Sequence, residues 1–153
     1  MTYWRMQLHP SKPKKAARYA IESLAAGLIG LGFSDDPGDL TKADPSGIKP
    51  SHRDYLSIAN EMKMGDYVLI MVHHFPFALA TIAGEYNYMR EPEPELGVWF
   101  CHFRRVKNVR YYADYVTDAH QWERIVMTDT ISPLHDRQSI SYRLIDEWKR
   151  SRR

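Results

Sequence analysis

The sequence predicts an α+β fold in which helices flank a strongly curved sheet or small barrel. Within the first 64 residues, strand-like segments alternate with helical patterns. Several strand-like segments then follow one another without an intervening helix, and an amphipathic helical pattern ends the chain. This order of elements is typical of the α+β class, because a doubly wound parallel sheet would need a helix after almost every strand.

A short strand and a helix begin the chain. Residues 3–8 form the first predicted strand, and Pro10 and Pro13 end it, since proline lacks a backbone donor but is tolerated in a first helical turn. Gly27 is expected to end the helix at the C′ position. The apolar positions of this helix recur at helical spacing and are Ala16, Ala17, Ala20, Ile21 and Leu24.

The second strand, residues 28–33, contains two glycines. Glycine inside a strand indicates that another part of the protein approaches the backbone closely. Residues 34–50 form a long loop, and a loop of this length in a compact domain is usually functional or mobile. Ser51 is the predicted N-cap of a second helix. The apolar stripe of that helix is Tyr55, Ile58, Ala59 and Met62.

The central strands come next. The unbroken apolar run at residues 67–72 predicts a strand covered on both faces. A hairpin-like turn at residues 73–76 leads to a strand at residues 77–83. The alternating prolines of residues 91–95 predict an exposed loop.

The last third of the chain has a weaker pattern. Residues 99–109 are predicted as a strand whose imperfect alternation indicates a bulge or strong twist. Residues 111–135 are expected to hold a further strand and loops. A C-terminal amphipathic helix is predicted from the spacing of Ile140, Leu144, Ile145 and Trp148.

Bulk composition favours one soluble domain spanning residues 1–153. Hydrophobic residues make up 44% and charged residues 26% of the chain, as in ordinary globular proteins. No apolar run approaches the roughly 20 residues of a transmembrane helix, and the N-terminus lacks a signal-peptide pattern. Cys101 is the single cysteine, which excludes an internal disulfide and favours a reducing compartment. We therefore expect a cytoplasmic protein that does not contact membranes.

Charge is distributed unevenly even though the net charge is only +2. Residues 1–20 and 101–110 contain basic residues and no acids, whereas acids concentrate in residues 35–44 and 85–95. Segregated basic surface attracts phosphates even when the net charge is low. The candidates for phosphate contact are Arg5, Lys12, Lys14, Lys15, Arg104, Arg105 and Lys107.

Residues 65–109 pair aromatic side chains with basic ones. Two apolar strands lead into Gly84-Glu85-Tyr86-Asn87-Tyr88, and a basic strand follows. Aromatic rings next to Arg and Lys suit an unstacked nucleobase and its phosphates. The pattern therefore favours nucleic-acid binding over catalysis.

Other chemistries fit the sequence poorly. His73, His74, Cys101 and His102 have no zinc-ligand spacing, because adjacent residues of a strand point to opposite faces. The glycines of residues 27–32 have neither the P-loop Lys nor dinucleotide-binding spacing. No nucleophile elbow is present. We expect no metal, no cofactor and no catalytic residue.

Five motifs follow one another in a fixed order along residues 3–109. They are Tyr3-Trp4, Gly30-Leu31-Gly32-Phe33, Ala59-Asn60-Glu61-Met62-Lys63-Met64-Gly65-Asp66, Gly84-Glu85-Tyr86-Asn87-Tyr88 and His102-Phe103-Arg104-Arg105-Val106. This ordered set resembles the EVE-like domains of the PUA-like superfamily, which also contains the YTH domains.

The resemblance implies a pseudo-barrel that holds a modified base of DNA or RNA in an aromatic pocket. It places Phe33, where many relatives have Trp, in the pocket wall, and Trp99 is the nearest match to a second wall residue. Ser34, Asp35 and Asn87 are candidates for hydrogen bonds to the base edge. The remaining aromatic candidates are Tyr86, Tyr88 and Trp4, with a core position as the competing interpretation of Trp4.

Such domains often form the recognition module of modification-dependent restriction and antiviral defence systems. We therefore expect a non-catalytic reader of methylated adenine or cytosine, with DNA as the leading target and RNA as the second. A nuclease or NTPase would be a separate subunit or domain. The competing hypothesis is a small hydrolase acting on a nucleotide or RNA, as in the related ASCH branch.

Overall fold

The fold is α+β, with a strongly curled, half-barrel sheet and helices packed against it. The structure, a computed structural model, describes residues 1–8, 16–32, 36–41, 44–72, 75–91, 100–111, 125 and 130–151. Within these residues the sheet has seven strands. The predicted fold class is confirmed at this level.

The first strand, the first helix and the second strand follow the sequence prediction. Strand β1 spans Tyr3–Gln7, helix α1 spans Ala16–Ala25 and strand β2 spans Leu28–Leu31. Gly27 has φ 74°, the left-handed conformation that ends helices. Ile21, however, is 49% exposed, and the buried face of α1 is formed by Tyr19, Ala20, Ser23 and Leu24 instead.

The second helix changes its winding along its length. Its turns are a 3₁₀ turn at Pro50–His52, helix α2 at Arg53–Leu56 and a π-helical turn at Ser57–Glu61. The predicted stripe is confirmed, since Tyr55, Ile58 and Met62 are buried. The predicted N-cap at Ser51 is wrong, because Ser51 lies inside the 3₁₀ turn.

Strand order in the sheet is β2-β6-β4-β3-β1-β7, and β5 adds to β6. The remaining strands are β3 at Tyr67–Val72, β4 at Phe75–Ile82, β5 at Asn87–Tyr88, β6 at His102–Tyr111 and β7 at Ile131–Leu134. β1 pairs parallel with β3, and the other pairings are antiparallel. Strand β4 begins at Phe75, inside the stretch predicted as a turn, so that boundary was wrong.

Two hydrophobic clusters cover the two faces of β3. Val68, Ile70 and Val72 belong to the larger cluster with Trp4 and Tyr55. Leu69 and Met71 instead pack with Ile145 and Trp148 of helix α3, which spans Ile140–Ser151. The prediction that this strand is covered on both faces is therefore confirmed.

Gly30 of β2 allows a second chain segment to pack against the backbone. A Cβ at Gly30 would collide with the Phe100 ring and the His102 carbonyl oxygen. Phe100 is buried in the larger cluster directly before β6. The close approach predicted for this strand is confirmed, and it fixes the start of β6 against β2.

A bulge interrupts β6, as its imperfect alternation predicted. Leu79 pairs with Arg110 and Thr81 with Lys107, so one β4 residue lies opposite Asn108 and Val109. Asn108 has φ 54°.

Within the described residues, no helix is long and apolar enough to cross a membrane.

Candidate functional site

His102, the first residue of β6, lies at the centre of a polar and aromatic cluster. It is fully buried. Its Nε2 lies 2.7 Å from Asp36 Oδ1, and its Nδ1 lies 2.7 Å from the Tyr86 hydroxyl. Ring centroids of Tyr55 and Tyr88 lie 4.4 Å and 5.0 Å from the imidazole. We call Asp36, Tyr55, Tyr86, Tyr88 and His102 the His102 cluster.

Hydrogen bonds join the members of this cluster. A neutral imidazole satisfies both of its contacts when Nε2 donates to the Asp36 carboxylate and Nδ1 accepts from the Tyr86 hydroxyl. The Leu40 amide donates to the Tyr86 oxygen at 3.2 Å. Burial raises the pKa of Tyr86 to about 12, so its phenol stays neutral at physiological pH. The cluster therefore attaches the loop at residues 36–41 to β6.

An open pocket of about 490 Å³ lies beside this cluster. Tyr86 belongs to both, since its hydroxyl contacts His102 and it also lines the pocket. The residues around the pocket combine apolar surface with polar and charged groups. They are Thr41, Ala59, Asn60, Met62, Lys63, Met64, Glu85, Tyr86 and Arg104. Ligand pockets typically measure about 300–1,000 Å³, and this one falls within that range.

Arg104 supplies a fixed positive charge to the pocket. The residue is 4% exposed, and burial lowers its pKa, although guanidinium stays protonated in proteins. Its Nε donates to the Gly84 carbonyl at 2.9 Å, and its Nη1 donates to the carbonyls of Met62 and Ile58. These bonds connect the π-helical turn to the turn at Gly84.

Two donors of Arg104 remain for a ligand. Guanidinium carries five N–H groups, of which two are on Nη2. Within the described part of the chain, Nη2 has no hydrogen-bond partner, and Arg104 lines the pocket. The Asn60 and Glu85 side chains are exposed and line the same pocket. The pocket thus combines a fixed pair of donors with one amide and one carboxylate.

The residues predicted to contact the base edge or to stack on the base lie in different parts of the structure. Asn87 and Tyr88 form β5, and the Asn87 amide donates to the Glu85 carbonyl at 2.9 Å. Tyr88 packs on His102 rather than on the open pocket, and burial raises its pKa. Among the base-edge and stacking candidates that the structure describes, Tyr86 alone lines the pocket. Phe33, Ser34, Asp35 and Trp99 lie outside the described residues.

Trp4 belongs to the larger hydrophobic cluster. It is 2% exposed, and its indole Nε1 donates to Asp66 Oδ2 at 3.0 Å. Asp66 also accepts from the backbone amides of Thr2 and Lys63. This buried carboxylate connects β1 to the turn before β3, and the sequence analysis gave it no role.

The predicted phosphate-binding residues also occupy different environments. Arg105 and Lys107 are exposed on β6, whereas Arg104 is buried. Arg5 is half-buried, and its Nη1 donates to Ser141 Oγ of α3 at 3.1 Å. Lys12, Lys14 and Lys15 lie outside the described residues.

Sequence reasoning missed several groups that the fold brings together. Asn60, Lys63, Met64 and Glu85 line the pocket, although none was predicted as a site residue. The first three lie in the stretch from Ala59 to Asp66 that carried the family resemblance. Their position directly before the central strand is the sequence feature that could have indicated them as site residues.

Metal ligation has no support in the described residues, where no group of three or more His, Cys, Asp and Glu side chains is placed to hold an ion. His73 and His74 lie outside them.

No protein-family model and no curated protein sequence matches the chain.

Proposed function

We propose that this chain is a non-catalytic reader of modified nucleic acid, with modified DNA as its leading target and RNA as the second. The resemblance to EVE-like and PUA-like domains motivates the proposal. The single observation that supports it best is the open pocket, which is lined by both Tyr86 and Arg104. An unpaired or flipped base would enter this pocket.

The polar lining of the pocket suits the Watson–Crick edge of adenine or cytosine. Each of these bases presents an amino group beside a ring-nitrogen acceptor. The Glu85 carboxylate would accept from the amino group, and Arg104 Nη2 would donate to the acceptor. Asn60 offers both a donor and an acceptor. Met62 and Met64 add adaptable apolar contacts for a methyl group.

Energetics require these polar contacts. Burying one methyl group contributes only about 0.8 kcal/mol, and stacking on an aromatic ring contributes about 1–3 kcal/mol for any base. If the target lies in a duplex, flipping the base costs a few kcal/mol. Selectivity for one modified base therefore depends on hydrogen bonds to the base edge.

Lys63 and Arg105 would contact the phosphates beside a bound base. Lys63 is exposed and lines the pocket. Arg105 is exposed on β6, and its side chain lies against Gly84, the residue before Glu85. In the defence context that the resemblance implies, a nuclease or NTPase would be a separate subunit or domain.

A matched oligonucleotide panel tests the proposal by fluorescence anisotropy at one fixed salt concentration. The panel holds unmodified, N6-methyladenine, 5-methylcytosine and 5-hydroxymethylcytosine forms of single- and double-stranded DNA and RNA. Glu85→Gln and Asn60→Ala are expected to lower the preference for one modified form. Glu147→Gln, an exposed change of the same kind on α3, is the control.

Uniform or absent binding across the panel would contradict the proposal, as would equal losses in Glu85→Gln and Glu147→Gln. The same samples test the competing hydrolase hypothesis by chromatography of the nucleic acid after incubation. A reader leaves the oligonucleotide unchanged, whereas turnover that depends on Glu85 would favour the enzyme.

A further inference from the structure

A second, smaller cleft lies between α3 and the bulged part of β6. Its volume is about 60 Å³, against about 490 Å³ for the open pocket. It is lined by Tyr67, Leu79, Thr81, Asn108, Arg110, Trp148 and Lys149. Two of these residues are cationic, and no acid is among the described residues that line the cleft. We propose that this cleft binds a phosphate group.

The β6 bulge brings donors to this side of the strand. Val106 and Val109 pack towards the larger hydrophobic cluster, and two residues instead of one separate them. Asn108 is exposed at the cleft, and Arg110 contacts α3. Asn108 has φ 54°, a left-handed conformation that Asn adopts more readily than most other residues with a side chain.

The two cations of the cleft are held by protein contacts. Arg110 Nη1 donates to the Trp148 carbonyl at 3.0 Å, and its guanidinium lies 5.4 Å from the Trp148 ring centroid. Lys149 Nζ donates to the Tyr3 hydroxyl at 3.1 Å and lies 5.1 Å from the Tyr67 ring centroid. The hydrogen bond to Tyr3 raises the pKa of Lys149, which therefore stays charged.

Several donors of the cleft have no protein partner. Thr81 lines the cleft, and in the part of the chain that the structure describes its hydroxyl makes no hydrogen bond. The same holds there for the Asn108 amide and for Nε and Nη2 of Arg110. A tetrahedral oxyanion in the cleft would offer acceptors to these groups.

Charge and size together favour a phosphate group over a base. Charge-assisted hydrogen bonds from guanidinium and ammonium to phosphate are about twice as strong as neutral ones. Asp146 of α3 accepts from the Tyr3 hydroxyl at 2.6 Å and lies 3.9 Å from Arg150. These two contacts therefore balance the negative charge of Asp146. The inference does not depend on the base pocket, since the cleft lies on the α3 side of the sheet.

Inorganic phosphate, followed by amide and side-chain NMR shifts of the whole chain, tests the site. We expect saturable shifts at Asn108 and at the Trp148 indole. Arg110→Met should abolish saturation, whereas Arg143→Met, an exposed change of equal charge on α3, should leave it intact. Asn108→Gly keeps the left-handed turn and should weaken binding about tenfold by removing one hydrogen bond to an anion.

If Arg110→Met disturbs the packing of α3, Asn108→Gly and Arg143→Met still test the proposal. Shifts that do not saturate, or saturation that Asn108→Gly and Arg143→Met change equally, would overturn the proposal. A single-stranded oligonucleotide added to the phosphate-bound protein identifies the source. Displacement of phosphate assigns the site to a nucleic-acid backbone, and continued phosphate binding assigns it to free phosphate. Glu85→Gln should leave phosphate binding unchanged, which separates this test from that of the base pocket.

Discussion

Neighbouring residues of β6 use positive charge in two different ways. Arg104 is buried, and three of its N–H groups are bonded to backbone carbonyls beside the open pocket. Arg105 and Lys107 are exposed, and within the described residues neither makes a side-chain hydrogen bond or ion pair. The buried cation is held in one geometry, which suits recognition of a base edge. The exposed cations suit phosphates, whose contacts tolerate varied geometry.

The largest expected effect is on stability and comes from Arg104. Arg104→Met leaves the carbonyls of Gly84, Met62 and Ile58 without their donor. The free energy of unfolding is expected to fall by about 3 kcal/mol, because hydrogen bonds to a charged group contribute about 1.5–3 kcal/mol each and compensate for its burial. Urea denaturation measures the change.

Arg105→Met is the matched change one residue along the strand. It is exposed, so the expected shift stays within about 0.5 kcal/mol. Similar losses in the two variants would show that Arg104 does not connect the π-helical turn to the Gly84 turn.

Tyr86→Phe is expected to have a smaller effect that depends on pH. The substitution keeps the ring but removes the donor to His102 Nδ1 and the acceptor of the Leu40 amide. We expect a loss of about 1–2 kcal/mol at neutral pH.

The sign of the pH dependence follows from the raised pKa. Burial favours the neutral phenol, so this stabilisation is complete below the ordinary pKa of 10.0 and is lost as pH rises through about 12. The difference in unfolding free energy between wild type and Tyr86→Phe should therefore narrow between those values. A difference that stays constant up to pH 12 would contradict the assigned environment of Tyr86.

Asn108→Gly should have the smallest effect on stability, and its sign should be opposite. Glycine adopts a φ of 54° without the steric cost that Asn carries. We expect the variant to be as stable as wild type or more stable by up to about 1 kcal/mol. A clear loss in a thermal melt would show that the Asn108 side chain supports the bulge.

Local patterns predicted most of the secondary structure. The apolar run at residues 67–72, Gly27 as a helix end and the imperfect alternation of β6 are local patterns, and the structure confirms each of them. Gly30 indicated a close approach to β2, although only the fold shows that Phe100 makes it. Ser51 was misassigned because the helical winding begins earlier, with a 3₁₀ turn at Pro50–His52 that contains Ser51.

The site was predicted only in part, since its geometry depends on contacts distant in sequence. Arg104 and Arg105 are the same residue type, and only the fold determines that Arg104 donates to the carbonyls of Ile58 and Met62. Likewise, Asp36 and His102 are 66 residues apart, so no local pattern indicated their contact. Tyr86 was identified because its motif combines an aromatic residue with the turn before the basic strand.

The most direct test compares Asn60→Ala with Lys107→Met in binding a modified and an unmodified oligonucleotide across a salt series. Asn60→Ala should reduce the preference for the modified form and leave the salt slope unchanged, because it removes a pocket amide and no charge. Lys107→Met should lower the slope by about one unit for both oligonucleotides and leave the preference intact. If both variants weaken both oligonucleotides alike, the proposed division between a base pocket and a phosphate surface is wrong.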